Sequence, residues 1–317
     1  MTNEQPLYDA VVIGAGAAGL NAALTLGRAR RSVLVVDAGQ QRNAPARSIH
    51  NYLGHEGIAP ADFLDLARRE IHRFGVECVT ASVVAAARET DAHFGLELDN
   101  GATVRARRLL LATGLVDELP DVPGVAERWT REVLHCPYCH GWEVRDQPIG
   151  VLATTAAGVE QALLWTQWSD KITLLMHTGP LLDDTARARL NARSVDVVEG
   201  KVAALDVVDD RLAAALLTGG RRVDLTHLVV APRFTARVTG LAGLGLEITD
   251  WEMFGQVAGT YVAANAQGAT NVTGVFAAGN VTSVTETVIG SAAAGLKAAA
   301  GLNLDLIAED TRRAVAT

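Results

Sequence analysis

Two thiols three positions apart stand in Cys136-Pro137-Tyr138-Cys139-His140, and their types and spacing imply chemistry directly. A Cys-x-x-Cys pair can close a small disulfide ring, and its geometry depresses one thiol pKa and speeds thiol–disulfide exchange. His140 follows the second thiol. Its ordinary pKa near neutrality suits a base for an incoming thiol or an acid for a leaving thiolate, with a local hydrogen bond or packing as the competing role. A zinc site would need two further ligands. The third cysteine, Cys78, is distant, and no second Cys/His pair stands at ligand spacing, so no metal is expected. Cys78, in Gly-Val-Glu-Cys-Val-Thr, is expected as a buried core thiol. Trp142 lies close to the pair, and core packing is its expected role ahead of lining a pocket. Lys297, Arg42, Arg47 and His50 stand as unranked candidates for a pocket or a dimer surface.

A second motif implies a nucleotide. Gly14-Ala15-Gly16-Ala17-Ala18-Gly19 follows an apolar run and opens an Ala/Leu-rich stretch. In a G-x-G-x-x-G turn the first glycine permits the tight bend and the second lets backbone approach a pyrophosphate. The third lets helix and strand pack closely, and the helix N-terminus faces the anion. Asp37 ends the next apolar run, 23 positions after Gly14, where a carboxylate meets a ribose hydroxyl. Thr113 in Ala112-Thr113-Gly114, and Gly279-Asn280, each follow a further apolar run and would return the chain to a flavin dinucleotide. Gly14, Gly16, Ala17, Ala18, Gly19, Asp37, Thr113, Gly279, Asn280, Val288 and Ile289 form the candidate FAD-binding set.

These motifs need α/β elements to hold them. Asp9–Ile13, Ala17–Ala29 and Ser32–Val36 read as strand, helix and strand, one βαβ unit. Leu64–Phe74 reads as an amphipathic helix, Val79–Val104 as short strands with a turn at Asp99–Gly101, and Arg108–Ala112 as a buried strand. A second unit begins at Ile149–Ala153, with a helix over Gly158–Trp168 and a strand over Lys171–Leu175. Further strands are expected at Asp196–Val202, Arg211–Leu217, Leu228–Ala231 and Gly274–Ala278, then a long Ala-rich segment from Ser291 to about Ile307. The expected architecture is α/β, with two Rossmann-like three-layer domains and the second inserted into the first. Residues 1–116 and 244–317 would bind FAD, and residues 117–243 would carry the thiols. The chain would cross near Gly114–Pro120 and return near Leu241–Gly245.

Composition fits that reading. The 317 residues are 49% hydrophobic and 20% charged, with 30 glycines against nine prolines, as tight α/β turns require. The net charge of −8, with no block of like charges, argues against nucleic acid as a partner. No apolar run reaches membrane-spanning length, and Met1–Gly14 lacks the basic-then-apolar order of a signal peptide. A cytoplasmic protein is expected.

The order of FAD turn, Ala-Thr-Gly, Cys-x-x-Cys in an inserted domain and a final Gly-Val-Phe-Ala-Ala-Gly resembles the low-molecular-weight thioredoxin reductase family over nearly the whole chain. The resemblance implies a homodimer, Cys139 against the flavin, and Cys136 as the thiol that exchanges with substrate. Several positions depart from the family. His140 replaces an acid after the second cysteine, and Asn280 replaces the aspartate of the final Gly-Asp; an asparagine can still bond a hydroxyl. In the inserted domain Ala153 and Thr155 stand where the first two glycines of an NADPH turn belong, and Met176-His177-Thr178 replaces His-Arg-Arg. A β-branched Thr155 crowds a pyrophosphate, and no arginine pairs with a 2′-phosphate. NADPH binding is therefore doubtful. The Cys-x-x-Cys-His centre is similar to that of the dithiol oxidase branch acting on gliotoxin- and holomycin-type natural products. That branch implies a small-molecule dithiol as substrate, oxygen as acceptor and hydrogen peroxide as by-product. The alternatives are a thioredoxin or small-disulfide reductase using NADPH or another donor, and a flavin redox sensor without turnover.

Overall fold

A computed structural model describes residues 6–90 and 93–316. The first unit runs β1 (Leu7–Ile13), α1 (Ala17–Arg28), β2 (Val33–Asp37), α2 (Pro60–His72), β3 (Glu77–Thr80), β4 (Val83–Thr90), β5 (His93–Leu98) and β6 (Thr103–Leu111). Two connecting elements follow, β7 (Leu115–Glu118) and β8 (Val133–Leu134), then the short helix α3 (Pro137–His140). The second unit runs β9 (Ile149–Leu152), α4 (Ala157–Trp165), β10 (Ile172–Leu175), α5 (Asp184–Ala192), β11 (Asp196–Val198), β12 (Val202–Val208), β13 (Arg211–Leu217), β14 (Arg222–Asp224) and β15 (His227–Val229). The chain returns through β16 (Arg233–Ala236), β17 (Ile248–Met253), β18 (Gln256–Val262) and β19 (Val275–Ala277), and ends in α6 (Val288–Ala316).

The first sheet has the order β3-β2-β1-β6-β5-β4, with β19 also paired to β6. Strands β3, β2, β1, β6 and β19 are parallel, and the β4–β5 hairpin adds antiparallel pairs. Alternation along the strands sorts two cores. Ala10, Val12, Val33, Val35 and Leu110 face α1, α2 and α6. Val11, Ile13, Leu34, Val36, Leu109 and Leu111 face the other way, onto the hairpin side. Helices α1 and α6 pack very closely, because Gly295 has no side chain: a Cβ there would lie 2.0 Å from the Ala18 carbonyl oxygen. The result is a helix–sheet–sheet sandwich on which strand β1 runs through the middle and ends at the glycine turn.

The second sheet is wholly parallel, in the order β11-β10-β9-β15-β8, and a three-stranded antiparallel sheet, β12-β13-β14, covers one of its faces. Helices α4 and α5 cover the other, around Trp165, Val151, Leu174 and Val229. The two expected Rossmann-like units are thus present, the second lying between β6 and β19 of the first in chain order. Connecting strands β7 and β16 run antiparallel side by side, so the chain leaves and re-enters at one place.

Local differences from the sequence reading have local causes. The strand expected at Asp196–Val202 is two strands broken at Gly200, whose φ of +117° no β-strand residue adopts. The final helix begins at Val288 and runs to Ala316, beyond the Ala-rich part, because Arg31, Arg107 and Arg108 hold Asp305, Glu309 and Asp310 of its last turns. Cys78 is exposed, not buried: β3 is the edge of the sheet and presents this thiol outward. Among the described residues no helix is long and apolar enough to cross a membrane.

Candidate active site

Strand β1 delivers the chain into the glycine turn. Gly14 adopts φ +103°, and a Cβ there would meet the Ala112 carbonyl oxygen at 2.4 Å. A Cβ at Gly19 would lie 1.9 Å from the Gly14 carbonyl oxygen, so only glycine lets α1 start this near the strand. At Gly16, by contrast, a Cβ would meet nothing within 4 Å. Its open side faces a cavity of about 980 Å³ lined by Gly14, Gly16, Ala17, Ala18, Asp37, Thr113, Asn280 and Val288. This division suits a turn whose outer glycines serve packing and whose middle glycine serves a ligand. The Asp37 carboxylate is held at the cavity wall by the Ala15 N–H, which donates to Oδ1 at 2.9 Å, and by Gln41 Nε2, which donates to Oδ2 at 2.8 Å. Thr113 Oγ1 is buried without a partner in the protein, which suits a polar ligand atom there. FAD fits this cavity: a long apolar trough, an open pyrophosphate turn, a carboxylate at the ribose end and an unpaired hydroxyl.

Three members of the expected set are not in the cavity lining. Gly279, at φ +79°, packs against Ala18, where a Cβ would approach the Ala18 Cβ to 2.8 Å. Gly19 acts through packing, as above, and Ile289 is 42% exposed and outside the cavity lining. The Asn280 amide donates to the carbonyls of Ser283 and Glu286, at 3.2 and 3.0 Å, so only its oxygen remains for a hydroxyl.

The dithiol reaches the same cavity from the other domain. Cys136 lies two residues beyond β8 and caps the four-residue α3, whose Pro137 fixes the first turn. Cys136, Tyr138, Cys139 and His140 all line the cavity that the glycine turn opens into. The two free thiols are bonded to each other. The Cys139 S–H donates to Cys136, and the N–H groups of Cys139 and Tyr138 add to it, so that Cys136 is brought down from 9.0 to about 7 although burial opposes the shift. The same bond and burial push Cys139 up. In the reduced pair the charge therefore belongs on Cys136 and the proton on Cys139. Burial lowers His140, with nearby His50 acting in the same direction and Glu143 opposing, so this histidine stands neutral and able to accept a proton.

Arg42 and His50, two of the four unranked pocket or dimer-surface candidates, and Asn51, which the sequence did not single out, complete the centre. Arg42 is bound twice by Asp117, at 2.8 and 2.6 Å, and lies over the Phe234 ring; its charge favours both thiolates. His50 comes from the loop between β2 and α2 and also lines the cavity. Asparagine 51 of that loop (Asn51) donates its side-chain N–H to the Tyr138 carbonyl. Arg47 and Lys297, which the sequence offered beside them as pocket or dimer residues, lie outside the lining. Trp142 is 66% exposed beneath Arg145, 4.1 Å from its ring, and does not pack in the core.

The second nucleotide turn is built differently. The Ala157 N–H, at the start of α4, donates to Thr155 Oγ1 at 3.2 Å, so the threonine takes a group that a pyrophosphate would use. Ala153 is buried against Gly158 and Gly179. Met176 is buried, and His177 accepts the Val202 N–H at Nδ1. The hollow here, about 220 Å³, has one arginine, Arg189, and Glu160 holds both its Nη atoms at 2.6 and 2.8 Å. Among the described residues no group of three or more His, Cys, Asp or Glu side chains is placed to hold a metal ion.

A dinucleotide cavity of this form, with a dithiol brought to it by a second Rossmann-like unit, defines a FAD-dependent thiol/disulfide oxidoreductase. The chain belongs to the pyridine nucleotide-disulphide oxidoreductase family, whose model matches residues 8–299, and is of the thioredoxin reductase-like type. It is 30% identical over 325 aligned positions to thioredoxin reductase sirT of Leptosphaeria maculans, covering 96% of each chain. A shorter match, 39% identical over 151 residues, joins 46% of this chain to 37% of a probable thioredoxin reductase of Arthroderma benhamiae, well under half that relative's length. The crystal structure of HlmI superposes with a TM-score of 0.90 at 44% identity, covering 97% of this chain and 95% of that one.

Proposed function

We propose that the protein is a dithiol oxidase that forms an intramolecular disulfide in a small-molecule natural-product dithiol. Residues 1–116 and 244–317 hold FAD in this reading, and residues 117–243 carry the thiols. The observation that supports it is a contrast: Cys136, Cys139 and neutral His140 open into the FAD cavity, whereas the second nucleotide turn is capped by Thr155 and has no free arginine. Electrons would then enter from thiols and not from NADPH.

The chemistry starts from the oxidised Cys136–Cys139 pair. A substrate thiolate attacks Cys136 Sγ, a substrate–Cys136 disulfide forms, and Cys139 leaves as a thiolate. His140 takes the proton of the second substrate thiol, which attacks the first substrate sulfur. The product disulfide forms and Cys136 leaves. Its depressed pKa makes it the better leaving thiolate of the two. When bound, FAD would supply an acceptor for the electron pair that the Cys136/Cys139 dithiol gives up as it closes again to the disulfide, with oxygen as the final acceptor and hydrogen peroxide as the by-product. Asp37, Thr113 and Asn280 hold the cofactor, and α3 keeps the thiols at the cavity wall. A homodimer in the cytoplasm is part of the same reading.

Anaerobic stopped-flow mixing of the oxidised holoprotein with dithiothreitol, NADPH or NADH tests it. Fast flavin bleaching by the dithiol, followed in air by hydrogen peroxide, is expected. Bleaching by micromolar NADPH at catalytic rates with no reaction from any dithiol restores the reductase.

A further inference from the structure

The loop between β2 and α2 belongs to the nucleotide-binding unit, yet it is fastened to the dithiol turn of the other unit. The Asn51 side chain donates to the Tyr138 carbonyl, inside Cys-Pro-Tyr-Cys. Asn51 itself stands at φ +58°, and its N–H donates to Glu56 Oε2 at 2.8 Å. The other oxygen of the same carboxylate, Oε1, lies 2.6 Å from His50 Nδ1. Glu56 thus fixes both the loop and the ring orientation of His50, in the way a carboxylate orients a catalytic imidazole. The opposite ring nitrogen, Nε2, points at the dithiol turn and lies 3.6 Å from Glu143 Oε1.

The groups facing His50 come from two elements: Glu56 on its own loop, and His140 and Glu143 on and after α3. They are graded in exposure. His140 is half-buried at the cavity beside Cys139, the His50 side chain is 17% exposed, and those of Glu143 and Glu56 are 43% and 62% exposed. A dithiol centre walled by apolar residues has to lose protons to water, and this is a graded series of acceptors leading outward from it.

We propose that His50, oriented by Glu56, is a positioning residue of the dithiol centre that takes the thiol proton from His140 and passes it to solvent. This rests on the dithiol-oxidising role proposed above. For each substrate dithiol closed to a disulfide, two S–H bonds break and one S–S bond forms. The electron pair and one proton leave with the cofactor, and the second proton leaves through His140 and His50. A neutral Nε2 is the acceptor, the Nδ1–H stays on Glu56, and the imidazolium so formed is stabilised between Glu56 and Glu143.

The test uses FAD-loaded protein in a Cys78→Ser background, comparing His50→Gln and Glu56→Gln with the parent. Alkylation of Cys136 by iodoacetamide in the reduced protein is followed by mass spectrometry from about pH 5.5 to 9. Flavin reduction by dithiothreitol is followed with and without added imidazole. His50→Gln is expected to leave the alkylation midpoint of Cys136 in place, because a neutral imidazole that accepts a proton only in passing adds no charge beside the thiols. It is expected to slow dithiothreitol reduction about tenfold or more, with imidazole restoring a good part of the loss. Glu56→Gln slows the reduction in the same way, less far. It keeps the His50 ring in place, and so carries the test if His50→Gln loses FAD. An unchanged reduction rate in both variants, a rate loss equal at every pH and untouched by imidazole, or a midpoint displaced as far as the rate, overturns the proposal. If the parent protein is not reduced by dithiothreitol at all, the dithiol oxidase reading fails; a parent that is reduced, with both variants as fast, overturns the role of His50 alone.

Discussion

Replacing Cys139 with Ala removes the largest cause of the low Cys136 pKa, the S–H···S bond, and leaves burial unopposed by it. The Cys136 thiol then returns from about 7 toward its ordinary 9.0. At pH 7 its thiolate fraction falls from about one half to about one hundredth, a loss of roughly fiftyfold. The more basic thiolate is intrinsically the better nucleophile, by about eightfold over two pKa units at a Brønsted slope of 0.4–0.5. The two effects oppose each other, so the variant should react about sixfold more slowly with a small disulfide at pH 7 and about sevenfold faster at pH 10. The rate profiles should cross near about pH 8, where fraction and nucleophilicity balance. The assay is release of thiopyridone from 2,2′-dithiodipyridine by reduced protein, in a Cys78→Ser background because Cys78 is exposed and would also react. Parallel profiles with no crossing, or a variant slower at every pH, would refute the assignment of the charge to Cys136.

Other substitutions read other parts of the site. Gly19→Ala places a methyl 1.9 Å from the Gly14 carbonyl oxygen, so the purified variant should carry far less than one FAD per chain by flavin absorbance, against full loading in the parent. Cys136→Ser removes the partner that raises Cys139, and should abolish turnover while giving a broad long-wavelength thiolate–flavin band; the same band in Cys139→Ser instead would exchange the two roles. His140→Ala should keep its FAD and lose about 10²–10⁴-fold in turnover, and a loss under about threefold from pH 6 to 9 would leave His140 with packing alone. NADPH should bind about 10²-fold or more weakly than to an intact site, since two charged hydrogen bonds of roughly 1.5–3 kcal/mol each are missing, and titration by fluorescence quenching measures this directly.

What the sequence disclosed was local. The Gly14–Gly19 turn is legible because each glycine answers a short-range demand: a left-handed bend at Gly14, an open side at Gly16, a close approach at Gly19. The thiols are legible because their spacing alone sets their chemistry. Arg42 and His50 stood unranked beside Arg47 and Lys297, and Asn51 was not legible at all, because the loop holding them has no periodicity and meets Tyr138 across a separation of 87 residues. The partners that place Arg42, Asp117 and Phe234, belong to the crossing strands, β7 and β16. Cys78 and Trp142 failed differently. Residue type favours burial for both, but an edge strand and a short turn leave them outward, and no propensity records which strand is the edge.

The inserted unit keeps its full parallel sheet although Ala153 and Thr155 stand where its nucleotide turn would carry glycines, and the position of the thiols explains why. Cys136 is two residues beyond β8, the last strand of that sheet, and β8 is held in the sheet by its pairing to β15, with a bridge from Trp129 to Val133 beside it. Strand β15 in turn pairs with β9, and β9 with β10. Loosening the sheet anywhere along this series would move the dithiol from the cavity wall. Substitutions that spare the sheet, such as Ala153 for a glycine, change ligand binding without moving the thiols. Two roles thus rest on different parts of this unit. Carrying the dithiol requires the whole β8–β15–β9–β10 register, while binding a second nucleotide requires only the turn after β9, and in this chain Thr155 has closed that turn on itself.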